Sequence, residues 1–358
     1  MPISSALGSS ALLPAGLGFR NKIINGDMRI NQRGASTTST NAGYLVDRWR
    51  IYLGTALVSF NTSTDAPDGF TNSVYAECTT ASATPSSYYG ISQQIEGYNV
   101  ADLGYGTSWA KPAVVSFWVK STKTGLANFS IGNDGNTRSY NTSYTINIAN
   151  TWEKKTIYIN GDTTGTWAKT TSTGFRLWWD LGSSTSYNAT ADTWVGTDSI
   201  RTSGQTLDIT ATLNARLYLT GVQLEQNYQP TPFEQRPIGV ELALCQRYYY
   251  LHTPSVGNTQ KAIGVGVWYS ATQYHVIIKL AQTMRAQPTL VMPNGTGYYV
   301  AYAASAAVLI SSLSFESGAS TTTQVELYAG GLSGGTAGYA SMFRTDQVAG
   351  SVAFSAEL

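Results

Sequence analysis

The sequence predicts an all-β chain: an N-terminal jelly roll or β-sandwich, a short linking helix, and a smaller C-terminal β-sandwich domain. Three observations predict it. Charged residues make up only 12% of the 358 residues, about half the roughly 25% usual for a soluble globular chain, so Ser, Thr, Asn and Gly must cover the surface. Aromatic residues reach 12%, and short runs that alternate apolar with polar residues recur between Gly, Asn, Asp and Ser clusters. No long helical period interrupts them.

The elements follow in order. Residues 1–22 are rich in Gly, Ser and Pro and are expected to form an extended arm. The segment Met1 to Phe19 lacks the positive start of a cleaved signal, and Pro14, Gly16 and Gly18 interrupt it. Residues 23–236 carry the first sandwich, with strands expected in LVDRWRI, ALVSF, VYAECT, YGISQQI, AVVSFWV, ANFSIG, KKTIYI, GFRLWWDL, LDITATL and ARLYLTGVQL. Pro230, Pro232 and Pro237 then break the pattern, as a domain junction does. Residues 237–251 form the linker, in which Glu241, Leu242, Leu244, Cys245 and Tyr248 suggest a helix over Ile238 to Tyr250. Residues 252–358 alternate again in AIGVGVWY, YHVIIKL, TLVM, YYVAYA, AVLISSLSF, QVELYAG and SVAFSAEL, which predicts the second β domain. No fixed period emerges, against a propeller or a parallel β-helix.

Charge and cysteine usage exclude several roles. A formal net charge of +1 provides no basic field for nucleic acid and no basic stripe for a membrane surface. Cys78 and Cys245 are far apart, without the paired spacing of a disulfide framework or a zinc site, and read as buried small hydrophobes. Tyr298 to Phe315 runs without a charge, but its alternating Tyr, Val and Leu suit sandwich strands or a subunit interface better than a lipid-facing helix. The same uncharged character places a subunit contact there and in the stretch from Ala329 to Ala340.

Catalytic chemistry is sparse. His252 and His275 sit in strand-like runs with no nucleophile context, no Gly-rich phosphate loop precedes a helix, and no His-x-x-x-His or Cys-x-x-Cys appears. A glycosidase needs only two carboxylates, whose separation no sequence spacing reports. Asp65 to Gly69 and Asp134 to Asn136 offer oxygen ligands for calcium, but neither matches an EF-hand loop and turns use the same residues. No metal and no cofactor is expected.

Sugar binding is the sharper expectation. Trp178, Trp179, Tyr187 and Trp194 surround the polar loop LGSSTSYNATADTW, and aromatic faces beside Asn, Asp and Ser suit a saccharide. Alternation sends one of Trp178 and Trp179 into the core, which leaves Tyr187 and Trp194 as the first candidates and Tyr88 with Tyr89 as the second. The remaining charges read as architecture. Arg29, Arg33, Asp47 and Arg48 gather beside Trp49, where an Arg to Asp pair fixes the first strand's register. At the junction, Glu225, Glu234, Arg236, Glu241 and Arg247 are placed to pair across the two domains, with Phe233 and Tyr248 to Tyr250 as buried aromatic area.

Four stretches go beyond pattern: RNKIINGDMRINQRG from Arg20 to Gly34, YLVDRW from Tyr44 to Trp49, LTGVQLEQNYQPTPFEQRPIGVELALCQRYYY from Leu219 to Tyr250, and MRAQPTLV from Met284 to Val291. Together they resemble virion proteins of tailed phages and prophages, described as tail-fibre, tail or minor structural proteins. Gln226 to Gln229 departs from the small turn of that pattern. The resemblance implies a jelly roll similar to carbohydrate-binding modules, then a small C-terminal β domain, in a homotrimeric appendage of the virion assembled in the host cytoplasm. It does not by itself imply one activity; residues 1–22, too rich in Gly, Ser and Pro to bury a core of their own, are expected to attach to other virion proteins, and a host-surface polysaccharide is the expected partner outside. On this reading the chain is a non-enzymatic tail-fibre or appendage subunit. A head, neck or baseplate decoration protein and a polysaccharide depolymerase are the alternatives.

Overall fold

The computed structural model of the chain describes residues 19–34, 43–55, 57–254, 260–293, 295, 298–303, 306–346 and 350–358. Most of the expected arm, residues 1–18, lies outside them. The last four arm residues run against the sandwich, where the Lys22 amide donates to the Leu224 carbonyl at 2.8 Å.

The first half is built from β1 (Gly43–Val46), β2 (Trp49–Leu53), β3 (Val58–Ser63), β4 (Ser73–Cys78), β5 (Tyr89–Glu96), the single turn α1 (Gly97–Val100), β6 (Ala113–Ser121), β7 (Gly125–Gly132), β8 (Ser139–Ile146), β9 (Glu153–Ile159), β10 (Thr173–Asp180), β11 (Asn188–Ala189), β12 (Thr193–Val195), β13 (Arg201–Thr202) and β14 (Arg216–Glu225). They pair into a seven-stranded sheet, β1-β2-β5-β10-β7-β8-β12, and a five-stranded sheet, β3-β4-β14-β6-β9, while β11 and β13 form a parallel pair of their own. The β6–β14 register shifts between Thr220 and Gln223, where Gly221 takes a left-handed φ of 59°.

Period-two alternation decides what each strand buries. Trp49, Ile91, Phe129, Leu177 and Trp179 from one sheet meet Phe60, Phe117, Val119, Leu217 and Leu219 from the other, all at 0% exposure. Trp179 is the hub, with ring centroids 5.0 Å from Phe129, 5.5 Å from Phe117 and 5.6 Å from Trp49. At roughly 25 cal/mol per Å² of apolar area, one such buried indole stabilises the sandwich by several kcal/mol.

The second half follows helix α2 (Ile238–Gln246). It comprises β15 (Tyr249–Thr253), β16 (Ala262–Trp268), β17 (Tyr274–Lys279), β18 (Thr289–Val291), β19 (Tyr299–Ala303), β20 (Ala306–Ile310), β21 (Ser314–Phe315), β22 (Gln324–Ala329), β23 (Ala340–Thr345) and β24 (Val352–Ser355). A seven-stranded sheet, β20-β19-β23-β16-β17-β22-β21, faces the three-stranded sheet β15-β24-β18. Trp268, Tyr274, Tyr299, Phe343 and Phe354 fill the core between them.

The junction is polar and tightly paired. Glu96, at 1% exposure, accepts from Arg247 Nη2 at 2.6 Å and from the Tyr248 hydroxyl at 2.7 Å. Arg236 lies between Glu234 and Glu241, 3.3 Å from each, and Glu225 faces Arg20 at 3.9 Å. Arg33 bridges Asp47 at 2.7 Å and Glu357 at 3.0 Å, Arg48 bonds Glu357, and Arg29 pairs with Asp27. The pair that pins the first hairpin is therefore Arg33 with Asp47, while Arg29 and Arg48 reach elsewhere.

Several expectations need correction. LDITATL is no strand: Ile209–Ala211 is a single 3-10 turn, since Thr210 N donates to Leu181 O and Thr212 N to Ile209 O rather than to a neighbouring strand. β8 and β23 were not foreseen. SYNTSYTI and ASMFRT carry Ser, Asn or Arg on their outward positions and too few apolar residues to stand out. The helix stops at Gln246, because Tyr249 pairs with Ser355 in β15. Within Tyr298 to Phe315, Tyr299, Val300, Ala301 and Ile310 are at most 1% exposed in the chain's own fold, while Leu309 on β20 is 52% exposed. Cys78 and Cys245 are free and buried, as the sequence predicts.

Candidate saccharide-binding cleft

The outer face of the seven-stranded N-terminal sheet is unusually polar. Opposite its core residues it presents Arg50 and Tyr52 on β2, Ser92 and Gln94 on β5, Arg176 and Trp178 on β10, Asn128 and Ser130 on β7, and Ser139, Asn141 and Ser143 on β8. Buried polar groups need partners, and residues 184–205 supply many of them. This strap crosses β7 and β8, held by Asn128 Nδ2 to Ile200 O at 2.7 Å, Ser139 Oγ to Thr197 O at 2.7 Å, and Ser143 Oγ with Thr202 Oγ1 at 3.0 Å.

The strap leaves the β2–β5–β10 half uncovered. There a cleft of about 180 Å³ is lined by Tyr52, Tyr88, Asn136, Arg176, Trp178, Tyr187, Asp198 and Ile200. Its base is Trp178, at 2% exposure. The indole lies against Gly90, where a Cβ would meet Trp178 Cε2 at 2.1 Å, so only glycine admits the ring. Tyr52 packs on it with centroids 5.2 Å apart and Tyr88 meets it edge-on at 6.3 Å, while Tyr187 meets Tyr88 edge-on at 6.1 Å. Tyr88 is 37% exposed, and Tyr52 and Tyr187 are half-buried. The solvent therefore sees tyrosine faces and edges held in place by a buried tryptophan.

One end of the cleft is polar and rigid. Arg176 Nη1 donates to Asn136 Oδ1 at 2.6 Å and Nη2 to Asp198, which fixes the guanidinium plane. Among the described residues its buried Nε has no hydrogen-bond partner. Under the floor, the Asp180 carboxylate accepts from the Gly182 amide at 2.9 Å, from Gln205 Nε2 at 2.8 Å and from the Ser183 hydroxyl. Burial raises its pKa despite those bonds. It is fully enclosed and shapes the turn that starts the strap.

Tyr88 and Tyr187 come together in this cleft. Tyr89 and Trp194 do not. Tyr89 is the inward neighbour in the alternation and has 0% exposure. Trp194 lies on β12 opposite Tyr140, packs against Tyr140, Trp167 and Tyr105 at 5.3 to 5.8 Å, and donates its indole N–H to Asn160 O at 2.9 Å. Pairing with β8 turns it toward the end of the sandwich core. Trp179 is the core member of its pair and Trp178 the outward one. Tyr52, Arg176, Asn136 and Asp198 were missed. Alternation in WRIYL and GFRLWWDL puts Tyr52, Arg176 and Trp178 on outward positions, a legible signal, whereas Asn136 and Asp198 arrive from loops.

The other candidates lie apart from the cleft. His275 Nδ1 is 2.7 Å from Glu326, and His252 Nε2 is 2.6 Å from the Ile263 carbonyl. Asp65 is engaged by Lys120 and by the Trp152 indole. Among the described residues no group of three or more His, Cys, Asp or Glu side chains gathers, and no helix is long and apolar enough to cross a membrane. A larger hollow of about 330 Å³ opens at the junction between Phe19, Tyr98 and Leu244, but its charges are already engaged, Lys22 with Asp102 at 2.9 Å and Arg236 with its glutamates.

No family model matches the sequence, and no curated protein matches it. Solved structures similar to this chain include the enzymatically active domain of tailspike protein 4 of bacteriophage CBA120, at 14% identity over 58% of this chain and a TM-score of 0.34. The match spans 22% of that tailspike chain. The CBM22-2 xylan-binding domain from Paenibacillus barcinonensis is similar at 18% identity over 50% of this chain and 92% of its own, with a TM-score of 0.30. The C-terminal family 22 carbohydrate binding module of a Clostridium thermocellum protein is similar at 10% identity over 54% of this chain and 98% of its own, also at 0.30.

Proposed function

We propose that the chain recognises a saccharide in the cleft over Trp178, as a subunit of a tailed-phage tail fibre or similar appendage. The observation that carries the reading is the grouping of Tyr52, Tyr88 and Tyr187 around one buried indole, beside the fixed Arg176–Asp198–Asn136 array. A pyranose has an apolar C–H face and a rim of hydroxyls. Tyrosine faces take the first, and a planar guanidinium flanked by a carboxylate and an amide meets the second with donors and acceptors already oriented.

Recognition suits this site better than turnover. Glycoside hydrolysis needs two carboxyl groups flanking the scissile bond, but of the nearby acids Asp198 is tied to Arg176 and Asp180 is sealed under the floor. A shallow cleft of this size gives weak binding per chain. In the homotrimer that the motifs imply, attached to the particle through residues 1–22, avidity would raise it by about 10² to 10⁴ without new contacts.

Binding of the purified chain to host-surface polysaccharide, followed by glycan array and calorimetry, tests the reading. Tyr88→Ala and Tyr187→Ala should each weaken binding at least tenfold with the fold intact. Unchanged affinity in both, or steady release of oligosaccharide, would count against it.

A further inference from the structure

Strand β16 reads AIGVGVW, and the structure gives it an inverted amphipathic pattern. Gly264 and Gly266 point into the C-terminal core, where a Cβ on Gly266 would meet the Tyr274 ring at 2.5 Å, while Val265 and Val267 point to solvent at 67% and 40% exposure. The core has no use for those valines. Neighbouring strands extend the same row: Val265 pairs with Met342 on β23, and the β16–β17 register sets Ile277 beside Val265. Met342 is 50% exposed, Ile277 62%, and Tyr269, just past the end of β16, 71%. His275, 2.7 Å from Glu326, sits on the same face beside Val267, Lys279 follows Ile277 along β17, and Arg344 donates to Met342 Sδ at 3.2 Å. Among the described residues neither Lys279 nor Arg344 has a carboxylate partner.

These five side chains leave on the order of 500 Å² of apolar surface on one flat face, the upper end of what a monomer carries and a large share of the ~800 Å² per partner of a standard interface. An apolar centre with a charged rim is interface anatomy. A second copy presents the same apolar row, so pairing two such faces removes about 1,000 Å² from water, the lower bound for a specific interface.

We infer that the outer face of β16, β17 and β23 is the contact between copies of this chain. Val265, Ile277 and Met342 form its centre and Tyr269 its margin. The contact closes a symmetric assembly of two or three chains. It stands apart from the cleft, so failure to bind glycan leaves it untouched.

Sedimentation of the full chain across micromolar concentrations tests it. Wild type should run at two or three times 38.4 kDa, with a Tm that rises with concentration. Val265→Lys combined with Ile277→Lys should run as a monomer, keep the strand-type circular dichroism and lose that dependence. Met342→Gln, a milder change, should raise the dissociation constant at least tenfold. A monomeric wild type at tens of micromolar, or a double variant of wild-type mass, overturns the inference.

Discussion

Arg48, at the turn of the first hairpin, donates to the carboxylate of Glu357, 309 residues further along the chain. Arg48 is 1% exposed, holds a left-handed φ of 71° and stacks its guanidinium 3.7 Å from the Tyr248 ring centroid. Arg33 shares the same carboxylate, and the Tyr44 hydroxyl donates to the Leu358 carbonyl at 2.7 Å. Glu357 and Leu358 thus close the junction between the two β halves.

Breaking that pair should be costly. A buried cation left without its partner destabilises by about 3–5 kcal/mol, well beyond the roughly 0–1 kcal/mol of a surface pair. Glu357→Gln should therefore lower the urea midpoint substantially, whereas disrupting the exposed end of Lys22–Asp102 with Asp102→Asn should hardly move it. Equal, small effects from both would remove the junction's claim to be a lock.

Acid should act on the same network in an unusual direction. Burial raises the Asp47 pKa from 3.8 to about 6, even though Arg33 and Gln32 pull it down. The folded state then holds the proton more tightly than the unfolded one. This contribution is fully present below 3.8 and is lost as pH rises through about 6, a span of about 3 kcal/mol at 1.36 kcal/mol per unit. The difference in unfolding free energy between wild type and Asp47→Asn should follow that slope. A flat difference from pH 4 to 7 would refute the assignment.

Sequence pattern reached the strands that bury a strong apolar face and missed those that do not. AVVSFWV and GFRLWWDL announce themselves by alternation. SYNTSYTI does not, because its outward Ser139, Asn141 and Ser143 lie under a strap whose own sequence carries no strand signal. The same strap explains the mixed result at the site. Tyr187 was visible as an aromatic in a polar loop and Tyr88 as a neighbour in sequence, but which face Trp194 takes depends on β12 pairing with β8, a long-range event no local pattern reports. The AIGVGVW run has the pattern of a strand, yet its inverted sides show only in the fold, where Tyr274 fills the space over Gly266.

Gly90 is a concrete test of the cleft's construction. Alanine there would place a methyl carbon 2.1 Å from the Trp178 ring, so the indole must shift and the tyrosines packed on it must follow. Overpacking of this kind costs about 1–3 kcal/mol. Gly90→Ala should lose at least tenfold in glycan affinity while still folding, and an unaltered affinity would show that Trp178 does not position the tyrosines.

Trp194 and Tyr187, close in sequence and alike in chemistry, should fail in opposite ways. Trp194 contacts three buried aromatic rings and bonds the exposed Asn160 O, which water can satisfy, so Trp194→Ala mainly removes packing. Large-to-small changes in a core cost about 3–5 kcal/mol, and the partial exposure of Trp194 puts the loss nearer 2. Its glycan affinity should stay within twofold of wild type at a temperature where both are folded. Tyr187 is half-buried, with Tyr88 as its one ring contact among the described residues, so Tyr187→Ala should cost under about 1 kcal/mol and yet weaken binding tenfold or more. Thermal melts and calorimetric titration of the two variants side by side separate the roles. A Trp194→Ala protein that melts like wild type but no longer binds would move the ligand to the β12 end of the sandwich and away from Trp178.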